Sequence, residues 1–477
     1  MDAVMETVKM IVDTLGATVL LPIFIFIFAL ILGTKPGKAF RAAVTIGVAF
    51  VGINLVIGLM WGSLSNVSHA IIESTGITRN VVDVGWPAAA AVAFSTTVGL
   101  AVIPVALLVN VLLLIPKITK TLNVDLWNFW HFAFAGSIVA IVSGYLVMGL
   151  VAAAIYTALM LLLGDWTARG IQEFYHLPGI SIPHGFTAPM VPIAIPVNWV
   201  LDRIPWVKDV DADPDGIEKK LGPTFGDPMI MGFFIGIGLG LLAYWNQFGD
   251  NFWGTSAKIL VLGVELAAVM VLLPRMVRIL MEGLIPISES ARDFMAKRAS
   301  DREVWIGLDS AVLVGHPSAI ATGLLLVPIA ILLMVILPGN RVLLFADLAV
   351  LPFLCSQCAP LAKGNIVRMV IIGTILLIIG FYVAMALAPI MTRVAGETGF
   401  EMPDNAVSIT SIADGFVWTA LVWQQAAAWA GWLGMAILAV LVGIGFWVFK
   451  RNEEKWEVLA GASPRQVEEE PVAAAGD

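Results

Sequence analysis

Polar residues lie beside helix-breaking residues at several points of this chain, most clearly in Ile182-Pro183-His184-Gly185. Proline removes a backbone hydrogen-bond donor, and glycine admits dihedral angles that other residues avoid. Such a break can leave backbone groups and the His184 imidazole free to bind a ligand rich in hydroxyl groups. The alternative is a structural histidine at a helix end.

A carboxylate follows a similar pattern later in the chain, where Asp414-Gly415 precedes the mostly apolar run Phe416–Trp423. A carboxylate accepts hydrogen bonds from hydroxyl groups, so Asp414 is a second candidate for ligand binding. Aspartate is also a favoured N-cap of a helix, and both interpretations stay open at this point.

The segment Asp125–His131 brings together an acid, an amide, two indoles and an imidazole. Asn128 and His131 are three residues apart, which places them on one face of a helix. We therefore expect both to contact a ligand, whereas Trp127 and Trp130 could instead belong to an interfacial aromatic belt.

Two Gly-X-Pro sequences, Gly85-Trp86-Pro87 and Gly315-His316-Pro317, interrupt apolar runs in the same way. The Trp86 indole could stack on the carbon face of a ligand or anchor the chain at the interface, and Asp309 serves equally as a cap or a ligand contact. The predicted ligand-binding residues are Trp86, Asn128, His131, His184, Gly185, Asp309, His316 and Asp414. None is assigned to catalysis, although His184 or Asp414 could accept a proton.

The two cysteines, Cys355 and Cys358, have the spacing of a redox motif or of half a zinc site. A zinc site of that type needs a second pair of ligands, and the chain has no further cysteine. Both are interpreted as small membrane residues. The chain also lacks the phosphate-binding motif of a P-loop ATPase. We expect no metal, no cofactor and no nucleic-acid partner.

The elements that must position these residues are transmembrane helices. The 477-residue chain is 59% hydrophobic and 13% charged, with a mean hydropathy of +0.92. A soluble protein carries about a quarter charged residues, so much of the apolar surface must face lipid. The run Leu15–Gly33 is uncharged and long enough to cross a hydrocarbon layer of roughly 30 Å. Backbone groups in lipid must be satisfied internally, which favours helices.

The sequence thus predicts an all-α polytopic membrane protein with about 11 transmembrane helices. The predicted spans are 14–33, 39–61, 85–116, 132–163, 182–203, 228–246, 256–281, 306–338, 366–391, 406–424 and 427–449. Three of them exceed 30 residues and contain or begin with Gly or Pro, so broken or re-entrant helices are expected. The apolar stretch 342–362 is expected to be re-entrant or interfacial.

Lysine and arginine residues predict the orientation, because cytoplasmic loops carry an excess of both. The bias places the N-terminus outside and the C-terminus in the cytoplasm, with Arg169, Lys363 and Arg368 among the few basic residues left outside. The first apolar run follows an acidic segment, so we expect it to remain as a span rather than to be a cleaved signal peptide. The charged tail 450–477 is expected to be disordered.

Three pairs of short sequences recur in the same order in the two halves. The pairs are Gly85-Trp86-Pro87 with Gly315-His316-Pro317, Gly136–Leu150 with Gly373–Leu387, and Ser181–Phe186 with Ser411–Phe416. Five spans per half with opposite starting sides predict an inverted repeat within a membrane domain of residues 1–449. The repeats cover about 14–203 and 228–424, and 427–449 is an extra helix. Inverted repeats with broken helices are typical of alternating-access transporters.

Several longer motifs resemble those of a known family. They are Val82-Asp83-Val84-Gly85-Trp86-Pro87, the run Asn123–His131, Leu163-Gly164-Asp165-Trp166, Ile182-Pro183-His184-Gly185, Gly307-Leu308-Asp309 with Gly315-His316, and Gly339-Asn340. From about residue 8 to 450, in one register, the chain resembles the galactitol-specific enzyme IIC family of the bacterial phosphotransferase system, in the ascorbate-galactitol superfamily.

The resemblance implies a homodimeric permease of the bacterial inner membrane with a scaffold domain and an elevator-type core domain. It also implies that galactitol or a related polyol is carried inward and phosphorylated by the phosphocysteine of a separate enzyme IIB, with enzyme IIA upstream. By similarity to the ascorbate branch, His131 and His184 are substrate contacts. The chain departs from the family pattern around Asp414 and at Pro317, which leaves another hexitol, a pentitol or an uncommon sugar open as the substrate.

Two alternatives remain at the level of sequence. An ion-coupled secondary transporter built on the same repeat would release its substrate unmodified. A membrane scaffold or sensor on a permease fold would accumulate no substrate at all.

Overall fold

The structure is a computed structural model, and it describes residues 22–23, 25–27, 29–31, 33–76, 79–208, 210, 212–213, 227–298, 303–344, 346–400, 402 and 406–465. Within these ranges eight helices are long and apolar enough to cross a membrane. The chain is therefore an all-α polytopic membrane protein, as its composition predicts.

Seventeen helices and six short strands are numbered here in chain order. The helices of the first half are α1 (Pro36–Thr75), α2 (Trp86–Ser95), α3 (Thr97–Leu114), α4 (Phe129–Ser143), α5 (Leu146–Tyr175), α6 (Val191–Leu201) and α7 (Pro205–Lys208). Those of the second half are α8 (Pro228–Tyr244), α9 (Phe252–Arg298), α10 (Ala311–Val314), α11 (Pro317–Ile336), α12 (Leu351–Ser356), α13 (Ala359–Ala362), α14 (Ile366–Glu397), α15 (Ile412–Phe416), α16 (Trp418–Arg451) and α17 (Glu453–Leu459). The strands are β1 (Val81–Asp83), β2 (Thr121–Asn123), β3 (Ile180–Ser181), β4 (Trp305–Gly307), β5 (Val342–Leu343) and β6 (Ser408–Thr410).

Two long predicted spans are interrupted, as expected from their composition. The span 85–116 divides at Thr96, whose side chain caps α3 by accepting a hydrogen bond from Gly99 N. The span 132–163 divides at Gly144, where a φ of 73° suits a residue without a β-carbon. A cap and a left-handed glycine therefore set these breaks.

Two other spans differ from their predicted bounds. Residues 306–338 begin as strand β4 and helix α10, and α11 starts only after His316, which accepts a hydrogen bond from Ser318 N. Within 182–203 the regular helix α6 has only 11 residues, and a crossing needs about 20. The prediction of a full crossing there is wrong, because the proline-containing approach is irregular.

The predicted spans 406–424 and 427–449 meet in the single element α16. Gly431 breaks it with φ 51° and ψ −127°, and a β-carbon built on Gly434 would lie 2.2 Å from Ala426 O. The chain therefore turns sharply there, so the predicted boundary exists but lies at Gly431. The predicted span 14–33 lies mostly outside the described residues.

The stretch 342–362 forms β5, a 3-10 turn at Ala346–Val350, α12 and α13. Leu348, Leu351 and Leu354 are fully buried in it. The segment therefore lies inside the protein rather than at a membrane interface, and its irregular backbone is surrounded by protein, as membrane proteins require.

Two three-stranded parallel sheets join the halves of the chain. One sheet has the order β5-β1-β6 and the other β2-β4-β3. In each sheet the central strand comes from one half of the chain and both outer strands come from the other half. The carboxyl ends of these strands lead into the polar residues described below.

Helices α1, α8 and α9 pack against one another. Their contact is close where α8 meets α9, since a β-carbon on Gly236 would lie 2.7 Å from Gly263 Cα. Small residues at helix crossings allow this approach in membranes. These three helices form a unit beside the sheets and the shorter helices.

The C-terminal segment is ordered as far as Arg465, which corrects the disorder expected of 450–477. Helix α17 packs on α5, and Trp166 Nε1 donates to Trp456 O at 2.6 Å. Glu457, which is 1% exposed, accepts from Arg169 at 3.1 Å and from Arg465 at 3.0 Å. The buried ion pairs order this charged segment, while residues 466–477 lie outside the described part of the chain.

These contacts also revise the side assigned to three basic residues. Arg169 is paired with the C-terminal segment, and Lys363 and Arg368 line one cavity with residues 458–464. All three therefore lie at the same end of the molecule as the C-terminal segment, not opposite it. The sequence placed Arg169 outside because it counted 132–163 as one crossing. The chain instead turns at Gly144, and both Lys120, before α4, and Arg169, near the end of α5, pair with the C-terminal segment.

Candidate functional site

A small cavity of about 70 Å³ lies near the carboxyl end of the β2-β4-β3 sheet, against helix α1. Its walls are mostly aromatic and aliphatic, with three polar side chains among them. The lining residues are Phe50, Asn54, Ile57, Trp86, Trp127, Trp130, His184, Phe186, Asp309, Ala311, Val350 and Phe353. Sites for small molecules usually have a mostly apolar wall with a few polar groups.

His184 is the central polar residue of this cavity. Its ring is 3% exposed and sits in the irregular hairpin between β3 and α6. His184 Nε2 lies 3.3 Å from Asp309 Oδ2. On the other side, His184 Nδ1 lies 3.1 Å from Thr187 Oγ1 and 3.2 Å from Ser310 Oγ. The imidazole is therefore held at both nitrogens, with Nε2 towards the cavity.

Asp309 is oriented by backbone groups on both sides. Its Oδ1 accepts from Ala311 N at 2.7 Å, and its own N donates to Asp125 Oδ2 at 3.0 Å. Asp125 Oδ1 in turn accepts from Trp127 N at 3.1 Å. Two loops that follow neighbouring strands are thus fastened together, which leaves Asp309 Oδ2 facing His184.

Aromatic rings form the rest of the wall. Trp86 and Trp127 meet edge to face, with centroids 5.6 Å apart at 83°. Phe186 lies 4.9 Å from the His184 ring and 6.3 Å from Phe353. A ligand with an apolar carbon face and several hydroxyl groups would match both the rings and the histidine-carboxylate pair.

His131 lies behind the cavity rather than in its wall. Its ring stacks on Trp130 with centroids 3.8 Å apart and meets the His184 ring at 4.5 Å. His131 Nδ1 is 3.3 Å from Asn128 O, while Nε2 has no partner among the described residues. Gly185 explains the close approach, because a β-carbon there would lie 2.2 Å from His131 Cβ.

Asn128 does not line the cavity, but it fixes the loops that do. Its amide nitrogen donates to Asn123 Oδ1 at 3.0 Å and to Leu308 O at 3.2 Å. The bond to Leu308 ties the start of α4 to the residue that precedes Asp309.

Two predicted site residues lie elsewhere. His316 accepts from Ser318 N at 3.2 Å and packs between Phe174 and Tyr175, with ring centroids at 4.7 Å and 5.4 Å. Asp414 is buried in α15, beside the other sheet, and neither carboxylate oxygen has a hydrogen-bond partner within the described residues. The structure does not bring either side chain to the cavity.

The β5-β1-β6 sheet carries its own acidic cluster. Asp83 accepts from Asp347 N at 2.8 Å, from Gly85 N at 3.3 Å and from Ile412 N at 3.3 Å. Asp347 accepts from Trp86 N at 2.7 Å and from the Ser411 hydroxyl. These bonds hold Trp86 in place.

Asp347, Asn54 and Phe50 are further residues of these clusters that the sequence did not predict. Asp347 and Asn54 were detectable in principle, since each is a polar residue within an apolar segment. Phe50 could not be predicted, because nothing in the sequence distinguishes it from the other apolar residues of a membrane helix. Throughout the described chain, no three His, Cys, Asp or Glu side chains are grouped as a metal site.

The chain is similar in sequence to known permease components. The model of the phosphotransferase-system sugar-specific permease component family matches residues 10–406. The galactitol-specific EIIC component of Escherichia coli K12 is 39% identical over 394 residues, which cover 83% of this chain and 85% of that protein. A second Escherichia coli K12 protein, described as a permease IIC component without a stated substrate, is 39% identical over 437 residues, 91% of this chain and 95% of its own length. The chain therefore belongs to the family of sugar-specific permease components of the phosphotransferase system.

Proposed function

We propose that this chain imports galactitol or a related sugar alcohol and presents it to a separate phospho-enzyme IIB for phosphorylation. The observation that carries the proposal is the His184–Asp309 pair, 3.3 Å apart, in a cavity walled by three tryptophans. A carboxylate and an imidazole supply acceptors and donors for hydroxyl groups. The 39% identity to a protein named as galactitol-specific supports the substrate class.

The proposed phosphoryl transfer needs no cofactor. A substrate hydroxyl oxygen attacks the phosphorus of the phosphocysteine, the P–S bond breaks, and the cysteine thiolate leaves. The hydroxyl proton needs an acceptor, and His184 lies at the cavity whereas Asp414 does not. Cys355 and Cys358 are both fully buried, which supports a phosphodonor on a separate protein that enzyme IIA serves.

We further propose an elevator-type movement. The cavity lies between α1, which contributes Phe50 and Asn54, and the loops that follow the strands. In this proposal α1, α8 and α9 are the scaffold, and the two sheets with their helices are the mobile core. The strand orders β5-β1-β6 and β2-β4-β3 become equivalent when the halves are exchanged, which supports two inverted repeats over about 14–203 and 228–424.

The orientation and assembly belong to the same proposal. The end of the molecule with Lys120, Arg169, Arg368 and Arg465 is placed in the cytoplasm, because cytoplasmic faces are rich in lysine and arginine. Enzyme IIB would dock on this face of the inner membrane, near 203–220 and 275–302. We propose a homodimer, as the family resemblance implies.

One observation favours the secondary-transporter alternative. Asp83, Asp347 and Asp414 are fully buried on the β5-β1-β6 side, and buried carboxylates mark proton or ion pathways in many membrane transporters. The alternative predicts uptake that depends on an ion gradient and delivers unmodified substrate.

Uptake into membrane vesicles decides between these functions. Vesicles loaded with phosphoenolpyruvate and the soluble phosphotransferase proteins are given radiolabelled galactitol. Accumulated galactitol phosphate that disappears without enzyme IIB is the expected result. Unmodified galactitol would support ion coupling, and no uptake of galactitol or of any polyol in a panel would contradict the proposed import.

The variant His184→Ala tests the site. We expect it to abolish uptake while the protein is still inserted in the membrane, because it removes the only imidazole that lines the cavity within the described structure. His69→Ala, at an exposed histidine of α1, is the matched control. Normal uptake by His184→Ala would remove His184 from the site.

A further inference from the structure

Gln357 belongs to the Cys355-Ser356-Gln357-Cys358 sequence, which the proposed function does not use. It follows α12 in the second half of the chain and is 1% exposed. Its side chain reaches the first half and contacts the hairpin that carries His184. A buried amide with several partners is a strong constraint on their geometry, since each of its polar atoms needs a bond.

The direction of every hydrogen bond around Gln357 follows from the available donors. The Thr167 hydroxyl donates to Leu163 O at 2.9 Å, so Thr167 Oγ1 must accept from Gln357 Nε2 at 2.8 Å. Gln357 Nε2 also donates to Ile182 O at 3.1 Å, and a carbonyl can only accept. This fixes the amide, so Gln357 Oε1 points to Thr187.

The donors and acceptors around the His184 imidazole can be assigned in the same way. The Thr187 hydroxyl donates to Gln357 Oε1 at 2.7 Å, and a hydroxyl has a single hydrogen. Thr187 Oγ1 can therefore only accept from its other neighbour, His184 Nδ1, at 3.1 Å. That contact is satisfied when Nδ1 carries a proton.

We propose that Gln357 is a positioning residue that acts through Thr187 to keep a proton on Nδ1 of His184. The hydrogen bond at one ring nitrogen decides the state of the other. With Nδ1 held in this way, Nε2 is the nitrogen that exchanges a proton in the cavity, next to Asp309 Oδ2 at 3.3 Å. The role of this proton in phosphoryl transfer rests on the proposed function. The protonation of Nδ1 itself does not depend on that function.

Two other groups compete for the same nitrogen. Ser310 Oγ lies 3.2 Å from His184 Nδ1 and Thr187 N lies 3.4 Å from it. Either could donate to a bare Nδ1. Ser310 Oγ can turn its hydrogen away and accept, whereas the Thr187 N–H is a fixed donor but makes the longest of the three contacts. The contact to Thr187 Oγ1 is the shortest, and this oxygen can only accept, so it favours a proton on Nδ1.

Nitrogen-15 NMR of histidine-labelled full-length protein in lipid nanodiscs tests this directly, without any substrate. A protonated ring nitrogen and a bare one differ clearly in chemical shift, and His184→Ala identifies the His184 signals by their loss. We expect a protonated Nδ1 in the parent protein. In Gln357→Met, which keeps the side-chain length but removes the amide, the Thr187 hydroxyl is released to donate, and we expect a bare Nδ1.

Two further variants keep the test decisive. Thr187→Val leaves the Gln357 bonds to Thr167 and Ile182 in place but removes the acceptor, so it should also give a bare Nδ1 even if Gln357→Met does not fold. Ser310→Ala is the matched control and should leave Nδ1 protonated. The inference is overturned if Thr187→Val keeps the parent signal, or if Ser310→Ala is the variant that changes it.

Uptake adds a second readout. A general base contributes about 10²–10⁴-fold to a rate. Gln357→Met and Thr187→Val displace its proton, so they should lower the maximal uptake rate by at least about tenfold. The double variant should be no slower than the single ones, because both act through one relay. If these variants have a bare Nδ1 but normal uptake, Gln357 does position the proton on His184. His184 would then not be the proton acceptor proposed for phosphoryl transfer.

Discussion

Three histidines with similar sequence contexts have three different environments. His184 lines the cavity and faces Asp309, His131 lies behind it against Trp130, and His316 is a helix cap between aromatic rings. Each follows or precedes a helix break, so the local sequence alone made them look alike. The carboxylate opposite His184 is what distinguishes it chemically, because it creates a donor-acceptor pair in an apolar wall.

Trp127→Ala tests the aromatic wall at the residue scale. An aromatic contact of this kind is worth about 0.5–1.5 kcal/mol, and 1.4 kcal/mol corresponds to about tenfold in affinity. We expect a half-saturation concentration for uptake raised by up to about tenfold, with Trp127→Phe intermediate. Trp253→Ala, at a side chain that is 81% exposed, serves as the control. An unchanged half-saturation concentration in Trp127→Ala would show that the ring does not touch the substrate.

At the scale of elements, the site depends on chain segments that are not long helices. Asp125, Asp309 and His184 lie two or three residues after the ends of strands in one sheet. In the other sheet, Asp83 is the last residue of β1 and Asp347 follows β5. Backbone donors on neighbouring strands bind these carboxylates, which lets irregular backbone exist inside a membrane protein. The hairpin between β3 and α6 can approach α4 closely only because it contains Gly185.

Gly185→Ala tests that close approach. The added β-carbon would lie 2.2 Å from His131 Cβ and 2.4 Å from His131 Cγ, so either the hairpin or the ring must move. Overpacking of this kind costs about 1–3 kcal/mol. We expect uptake to be lost and thermal stability in detergent to fall modestly.

Gly58→Ala is the matched control, since a β-carbon there meets no atom within 4 Å. It should keep both uptake and stability. Full activity in Gly185→Ala would mean that the His131–His184 contact is dispensable.

At the scale of the whole molecule, the C-terminal segment joins distant parts of one end of the protein. Lys120 pairs with Glu453 at 2.7 Å and with Glu303 at 3.1 Å, and Arg465 pairs with Glu453 at 3.4 Å. Lys120 directly precedes β2, and Glu303 lies just before β4. The segment therefore braces the sheet that ends at the cavity, although it lies beyond residue 406, where the family match ends.

Truncation and pH test this brace. Burial opposes the charge of Glu453, but the hydrogen bond and charge of Lys120, with help from Arg465, hold its pKa below the ordinary value of 4.5. A carboxylate with a lowered pKa in the folded state stabilises the fold above its ordinary pKa and loses this effect as pH falls through the lowered value. We expect removal of 452–477 to lower the unfolding temperature at pH 7, and this difference to shrink below pH 4.5.

Removal of only 466–477 is the control, because every contact described for the segment remains. It should leave the unfolding temperature unchanged. If the longer truncation has no effect at pH 7, the ion pairs do not brace the sheet.

Sequence alone was enough to predict the membrane class and the breaks in the long spans, and it named His184 and Asp309 among the candidate site residues. These properties depend on composition and on local chemistry, since runs of apolar residues and Gly or Pro act within a few residues. The family motifs also lie within short contiguous segments.

Which candidate residues contact one another could be seen only in the folded structure. Asn54 of α1 joins His184 at the cavity, Gln357 reaches Thr187 across the two halves, and Asp414 lies in α15 beside the other sheet. Such contacts depend on how parallel strands from the two halves pair, and hydrophobic periodicity carries no information about that pairing. The order of the C-terminal segment likewise depends on Glu457 finding Arg169, a contact that its charged composition could not predict.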